Sequence, residues 1–164
     1  MSTKLYTKTG DGGTTIAYHG TKAAKNDPII EAYGTLDELN STLGMVLADK
    51  NIALDLQKIL YRTQQELSDL SKELYDPTQT LITESKVNQI EQDIDQLNTN
   101  LPEITNFILP NGNLATATCH LARSICRRAE RKLVTLNNSQ KINPVILQYI
   151  NRLSDLLFVI ARSL

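Results

Sequence analysis

From residue 27 onward, apolar positions recur at intervals of three and four, the spacing that lines one side of an α-helix, and the repeat starts afresh five times. Asp27-Pro28 supplies an N-cap followed by proline at the first helical position, and Ile29, Tyr33, Leu36, Leu39, Leu43, Val46 and Leu47 mark the first helix. Leu56, Ile59, Leu60, Thr63, Leu67, Leu70 and Leu74 mark a second, which Pro77 stops. Val87, Ile90, Ile94 and Leu97 mark a third, more polar one. The stretch 101–112 breaks the pattern: Pro102 and Pro110 bracket Phe107-Ile108-Leu109, too short and proline-bound for a helix. Leu114, Thr118, Leu121, Ile125, Ala129, Leu133 and Leu136 give a fourth helix. Asn143-Pro144 caps a fifth, carrying Tyr149, Ile150, Leu153, Leu156, Leu157 and Ile160.

Residues 1–24 lack this periodicity. They hold a short β-like piece, Lys4-Leu5-Tyr6, followed by a glycine-rich run. Short connections favour antiparallel neighbours, so the pattern predicts an all-α fold: one domain over 1–164, a five-helix up-and-down bundle over 25–164 with the 1–24 loop laid across one end or side.

Composition narrows the functional classes. The chain has 164 residues, 41% of them hydrophobic, and 17 basic against 18 acidic side chains for a net charge of −1. No global basic field draws it to nucleic acid. The N-terminus has no signal-like apolar stretch and no run approaches the roughly 18 apolar residues of a membrane span, so the expectation is a cytoplasmic protein. Cys119 and Cys126 lie seven apart in one helix and read as packing thiols; His19 and His120 form no ligand spacing, so no metal site held by the protein is expected.

Chemistry concentrates in four places. Gly10, Gly12 and Gly13 allow backbone N–H groups to converge on an anion beside Lys8 and several threonine hydroxyls, although a glycine-rich tight turn has the same composition. On helix four, Arg123, Arg127, Glu130 and Arg131 share a face while Arg128 points elsewhere; arginine next to alanine and leucine suits bidentate phosphate recognition, and a solvated face is the alternative. Asn151 and Asp155 lie one turn apart on the apolar fifth helix, requiring as partner either a neighbouring helix or a ligand. Asp37 and Asn40 are embedded in the apolar stripe of helix one, where a carboxylate invites an arginine of helix four.

Taken in order, Tyr6-Thr7-Lys8-Thr9-Gly10-Asp11-Gly12-Gly13, the segment 32–40 (AYGTLDELN), Phe107-Ile108-Leu109-Pro110, the segment 122–131 (ARSICRRAER) and the segment 150–155 (INRLSD) resemble the successive motifs of the PduO-type ATP:cob(I)alamin adenosyltransferases. The resemblance implies a homotrimer with active sites between subunits, whose partners are ATP and a reduced corrinoid, cobalamin or cobinamide. By similarity Thr7, Lys8, Thr9, Gly10, Gly13 and Thr15 wrap the triphosphate with help from Lys25, and Arg127, Arg128, Glu130, Arg131 and Asn151 complete the nucleotide site. Mg²⁺ rides on the phosphates. Arg123 resembles the arginine that pairs across the interface with an aspartate, here Asp37; with Arg127 these form the catalytic set. Phe107 resembles the aromatic that crowds the lower face of the corrin, although an apolar ring in such a connection otherwise reads as a core plug.

The implied chemistry is attack of Co(I) on the 5′ carbon of ATP, so no side-chain nucleophile is needed. The alternative is an ATP-responsive corrinoid carrier or regulator with little turnover. Two departures bear on this. Asn111 stands before Gly112 where the family commonly has two glycines, and asparagine is expected to take the left-handed turn. The sequence also ends at Leu164, where relatives usually continue into an aromatic tail, a departure that bears on corrinoid affinity more than on ATP binding.

Overall fold

The computed structural model describes residues 4–17 and 20–164. His19 falls outside these. All five predicted helices are present: α1 (Pro28–Leu47), α2 (Leu54–Tyr75), α3 (Glu84–Asn98), α4 (Leu114–Ser139) and α5 (Pro144–Ser163). Side-chain caps set three of the starts. Asp27 accepts from the Ile29 amide at 3.1 Å, Asn113 from Thr116 at 2.8 Å and Asn143 from Val145 at 3.0 Å, each satisfying a donor that the first turn leaves free.

Lys4-Leu5-Tyr6 is not a strand: Leu5 and Tyr6 are exposed and no chain runs beside them. The extended pieces are β1 (Thr14–Ile16) and β2 (Lys22–Ala24), which pair antiparallel with Thr15 opposite Ala23, and Ala17 N–H donates to Thr21 C=O at 2.7 Å to close the hairpin. A strand needs a partner for its backbone groups, and only the returning chain supplies one.

The bundle runs up, down, up, down, up. Contacts between α1 and α2 pair early residues with late ones, as Tyr33 Oη donates to Ser71 C=O at 2.8 Å and Gln64 Nε2 to Asn40 C=O at 3.1 Å. The same reversal joins α1 to α4, where Glu38 meets Arg128 and Glu31 meets Lys132, and α4 to α5. α3 and α5 are parallel neighbours, since Glu91 meets Arg152 and Asn98 meets Arg162. α5 does reach the length and hydropathy of a membrane span, contrary to the expectation from the sequence (mean hydropathy 1.3). Its apolar character is used in packing: Ile146, Tyr149, Ile150, Leu153, Leu156, Leu157 and Ile160 are all buried, because neighbours cover this helix on several sides.

Two polar clusters are sealed into that core. Tyr149 Oη donates to Glu66 Oε2 at 2.9 Å, and burial raises the Glu66 carboxyl above the ordinary carboxylate range although Tyr149 and Arg62 oppose the shift. Glu73, 4% exposed, accepts from the amides of Leu81 (2.7 Å) and Ile82 (2.6 Å) and from Asn143 Nδ2 (2.7 Å), so one carboxylate fastens the α2–α3 connection to the cap of α5. Glu73→Ala leaves three donors unpaired and is expected to cost about 3 kcal/mol. Calorimetry should record a melting temperature lower by roughly 6–12 °C in a chain of this length.

Candidate functional site

The glycine loop is two successive tight turns, in which Asp11 N–H donates to Lys8 C=O at 3.4 Å and Gly13 N–H to Gly10 C=O at 3.2 Å. Lys8 adopts a left-handed conformation (φ 60°) that costs a non-glycine residue about 1–2 kcal/mol. Gly13 (φ 77°) takes the same region without that cost. Its carbonyl accepts from Lys25 N–H at 2.9 Å, joining the loop to the end of the hairpin, and the Lys25 ammonium lies 3.3 Å from where a Cβ on Gly10 would be. Thr7 and Thr9 share a hydroxyl hydrogen bond of 2.8 Å. The loop therefore gathers Lys25 and threonine hydroxyls around a backbone that keeps two of its own N–H groups occupied.

An open groove of about 430 Å³ lies where this loop meets α1, lined by Thr15, Lys25, Ile30, Glu31, Thr35 and Glu38. Its two carboxylates are each held by a cation of α4, Glu38 by Arg128 and Glu31 by Lys132 at 2.9 Å. Arg128 does point away from Arg127, and it is committed to Glu38. Arg127 and Arg131 are exposed, with Arg131 Nη1 donating to the Arg127 carbonyl at 3.0 Å. Glu130 turns toward α5 and accepts from Asn151 Nδ2 at 2.9 Å, while Asn151 Oδ1 accepts from Arg152 Nη1 at 3.0 Å. Asn151 thus has a helix partner, and Asp155 lies exposed.

The other end of the arginine face opens into a second cavity, of about 260 Å³, walled by Ile104, Phe107, Ile108, His120, Arg123 and Phe158. Phe107 is 87% exposed at its mouth, which overturns the core-plug reading: prolines bracket a stretch that lies on the bundle's surface instead of entering it. Arg162 holds that stretch by donating to Asn98 Oδ1 at 3.1 Å and to the Pro102 carbonyl. The left-handed position in the following turn falls on Gly112 (φ 123°), so Asn111 is not asked to adopt it.

Arg123 stacks on Phe158, its guanidinium 5.3 Å from the ring centre. It does not meet Asp37 within the chain. Asp37 is exposed, not embedded, and lines a groove of about 450 Å³ between α1 and α2 with Tyr33, Leu36, Asn40 and Leu67, because its position lies at the edge of the stripe that packs on α2. Asn40 is partly buried there. Sequence reasoning missed Glu31, Glu38, Lys132, His120, Phe158 and Arg162. His120 alone carried a usable signal, standing one turn before Arg123 on α4; the pairings of the others are set by inter-helix register, which no spacing records.

The thiols are packing groups. Burial raises Cys119 to about 12 and Cys126 higher still, and each donates to a carbonyl of α5, Leu157 and Ile150, at 3.3 Å. They stay protonated and supply no nucleophile.

The chain is similar to known proteins over nearly its whole length. Residues 5–164 match the family described as Cobalamin adenosyltransferase. The chain is 43% identical to a cobalamin adenosyltransferase of Cupriavidus metallidurans, over 98% of this chain and 88% of that protein. It is 42% identical to a corrinoid adenosyltransferase of Bacillus subtilis, over 97% and 85%. Among solved structures it superposes on a variant PduO-type ATP:corrinoid adenosyltransferase from Lactobacillus reuteri, complexed with cobalamin and ATP, with a TM-score of 0.90 at 37% identity, covering 97% of this chain and 89% of that one.

Because nothing packs over Phe107, Phe107→Ala should leave stability within about 0.5 kcal/mol of wild type, a shift of roughly 2 °C or less by calorimetry. A buried plug would lose about 3–5 kcal/mol on the same change.

Proposed function

The chain belongs to the cobalamin adenosyltransferase family, and from that premise we propose how its residues divide the work of moving the 5′-deoxyadenosyl group of ATP to the cobalt of a reduced corrinoid. The observation that carries the division is the layout of α4. Arg123 lines the cavity beside Phe107, and Arg127 follows it by one turn, about 6 Å of rise, on the side where Glu130 and Asn151 meet. A corrinoid at the first and ATP at the second would be neighbours.

Triphosphate binds the 7–15 loop, with Thr7, Lys8, Thr9, Gly10, Gly13 and Thr15 around it and Lys25 beneath. Lys25 supplies a compact charge and the threonines neutral donors. Arg127 and Arg131, free of acidic partners among the described residues, add planar donors. Arg128 joins them only by releasing Glu38, an exchange of one exposed ion pair for another and therefore cheap. Glu130 and Asn151, already bonded to each other, present a pre-set polar pair to the ribose. Mg²⁺ is carried on the phosphates, a hard cation suited by their oxygens and by the threonine hydroxyls nearby.

Co(I) is the nucleophile and attacks C5′ while the C5′–O bond breaks, leaving triphosphate. The protein positions the two substrates and stabilises the negative charge that gathers on the leaving group, a task for Arg127, the loop donors and Lys25. Phe107, exposed at the mouth of an apolar cavity, keeps water and a lower axial ligand from the cobalt. Asp37 and Arg123, which lie apart in one chain, meet across the interface of a homotrimer, so each site is completed by a second subunit.

Anaerobic incubation with ATP, Mg²⁺ and chemically reduced cobalamin should give the light-sensitive alkylcobalt spectrum; its absence would refute the assignment. Arg127→Lys keeps the charge and loses the fork, and should lower kcat by about tenfold or more with the melting temperature unchanged. Asp37→Asn should shift sedimentation from trimer toward monomer and reduce activity in step. Full turnover by a monomeric sample would overturn the shared site.

A further inference from the structure

The cavity beside Phe107 contains a polar group that this reaction scheme leaves unused. His120 is 5% exposed, yet its ring makes no hydrogen bond with any described residue. Among the described residues the fully enclosed side-chain atoms without a partner are Asn40 Oδ1 and Arg62 Nε; neither imidazole nitrogen is among them, so the ring nitrogens keep some accessible surface, and His120 lines the cavity. The ring leans on Phe158, with centroids 6.2 Å apart and planes inclined at 56°, and the same phenyl carries Arg123. Burial, and then the charge of Arg123, hold His120 below the usual imidazole range. It is therefore neutral, with one nitrogen a donor and the other an acceptor.

A volume of about 260 Å³ is smaller than the roughly 300–1,000 Å³ that encloses a whole ligand, so the cavity takes a branch of a larger molecule lying over its mouth. Its lining joins the apolar side chains of Ile104, Phe107, Ile108 and Phe158 to the neutral polar groups of Asn106, His120 and Ser124 and to Arg123, whose guanidinium is stacked on Phe158. His120 is the buried member of this set, its ring without a hydrogen bond, and a small uncharged branch that both donates and accepts, a primary carboxamide, matches that ring. Corrin rings carry such arms around their rim.

We propose that His120 binds a carboxamide side arm of the corrinoid, holding the macrocycle over Phe107. This rests on the reading of Phe107 as the corrinoid wall. The arm would fix the lateral position of the ring, which stacking on one phenyl leaves free, and so the distance from cobalt to the carbon it attacks.

Titration calorimetry of the ATP-loaded protein with cobinamide tests this, since cobinamide has the carboxamide arms and lacks the tethered base. His120→Leu removes both hydrogen-bonding groups at similar bulk and should weaken cobinamide binding by about five- to twentyfold, with ATP affinity at the wild-type value. His120→Gln, which keeps a donor and an acceptor, should recover most of the loss. If His120→Leu does not fold, His120→Phe supplies the same deletion on a flat ring. Wild-type cobinamide binding by the apolar variant, with binding lost in Phe107→Ala, would overturn the role of His120 and leave the corrinoid site standing. Equal loss in the Gln and Leu variants would also overturn it. Unchanged binding in both His120→Leu and Phe107→Ala would remove the corrinoid from this cavity altogether.

Discussion

Close approach of α4 to its neighbours is the constraint from which the rest of the molecule follows. Ala115, Cys119, Ala122, Cys126 and Ala129 recur at four and three along one side of α4 and are all at most 3% exposed. Small side chains let helix axes come close, and the two thiols convert the contact into hydrogen bonds by donating to carbonyls of α5. A larger residue in this seam would push α4 outward and move both cavities at once, because Arg123, Arg127, Arg128 and Glu130 are carried at its edges. The thiols are thus tied to function through packing and not through reactivity.

With that seam fixed, α4 sorts its charges by direction. Residues turned toward α1 meet carboxylates, as Arg128 and Lys132 do. Glu130, turned toward α5, meets an amide. Arg127 and Arg131 are left facing outward without acidic partners among the described residues. Exposed ion pairs contribute little to stability, so the ones at Glu31 and Glu38 serve mainly to hold cations at the rim of the loop groove. The cavity beside Phe107 is arranged otherwise: two of its polar side chains are gathered on one aromatic ring, with Arg123 stacked on Phe158 and His120 leaning on it.

Polar anchoring inside the core falls to Glu66 and Glu73, buried acids of α2 whose partners lie on α5, at its cap and in the α2–α3 connection. Glu73 accepts from three donors and Glu66 from Tyr149, and such pairing is the condition for keeping a carboxyl group inside a protein. The division leaves the functional rim free to carry exposed aromatics and unpaired guanidinium groups without unfolding the bundle.

What the sequence by itself determined is local. Apolar spacing, with Asp27-Pro28 and Asn143-Pro144 as caps, located all five helices, because helical periodicity and capping are properties of neighbouring residues. The ordered motifs identified the family, which the matched relatives bear out. Tertiary structure decided everything that depends on one segment lying beside another. The strand at Lys4-Leu5-Tyr6 failed and the hairpin at Thr14–Ile16 and Lys22–Ala24 formed because a strand exists only with a partner. Arg128 went to Glu38, Asn151 to Glu130 and Arg123 to Phe158 through helix register, and the exposure of Asp37 and Phe107 came from where the stripe ends and the connection runs. Residue spacing fixes which side of a helix a group is on; which neighbour that side faces is settled only when the helices pack.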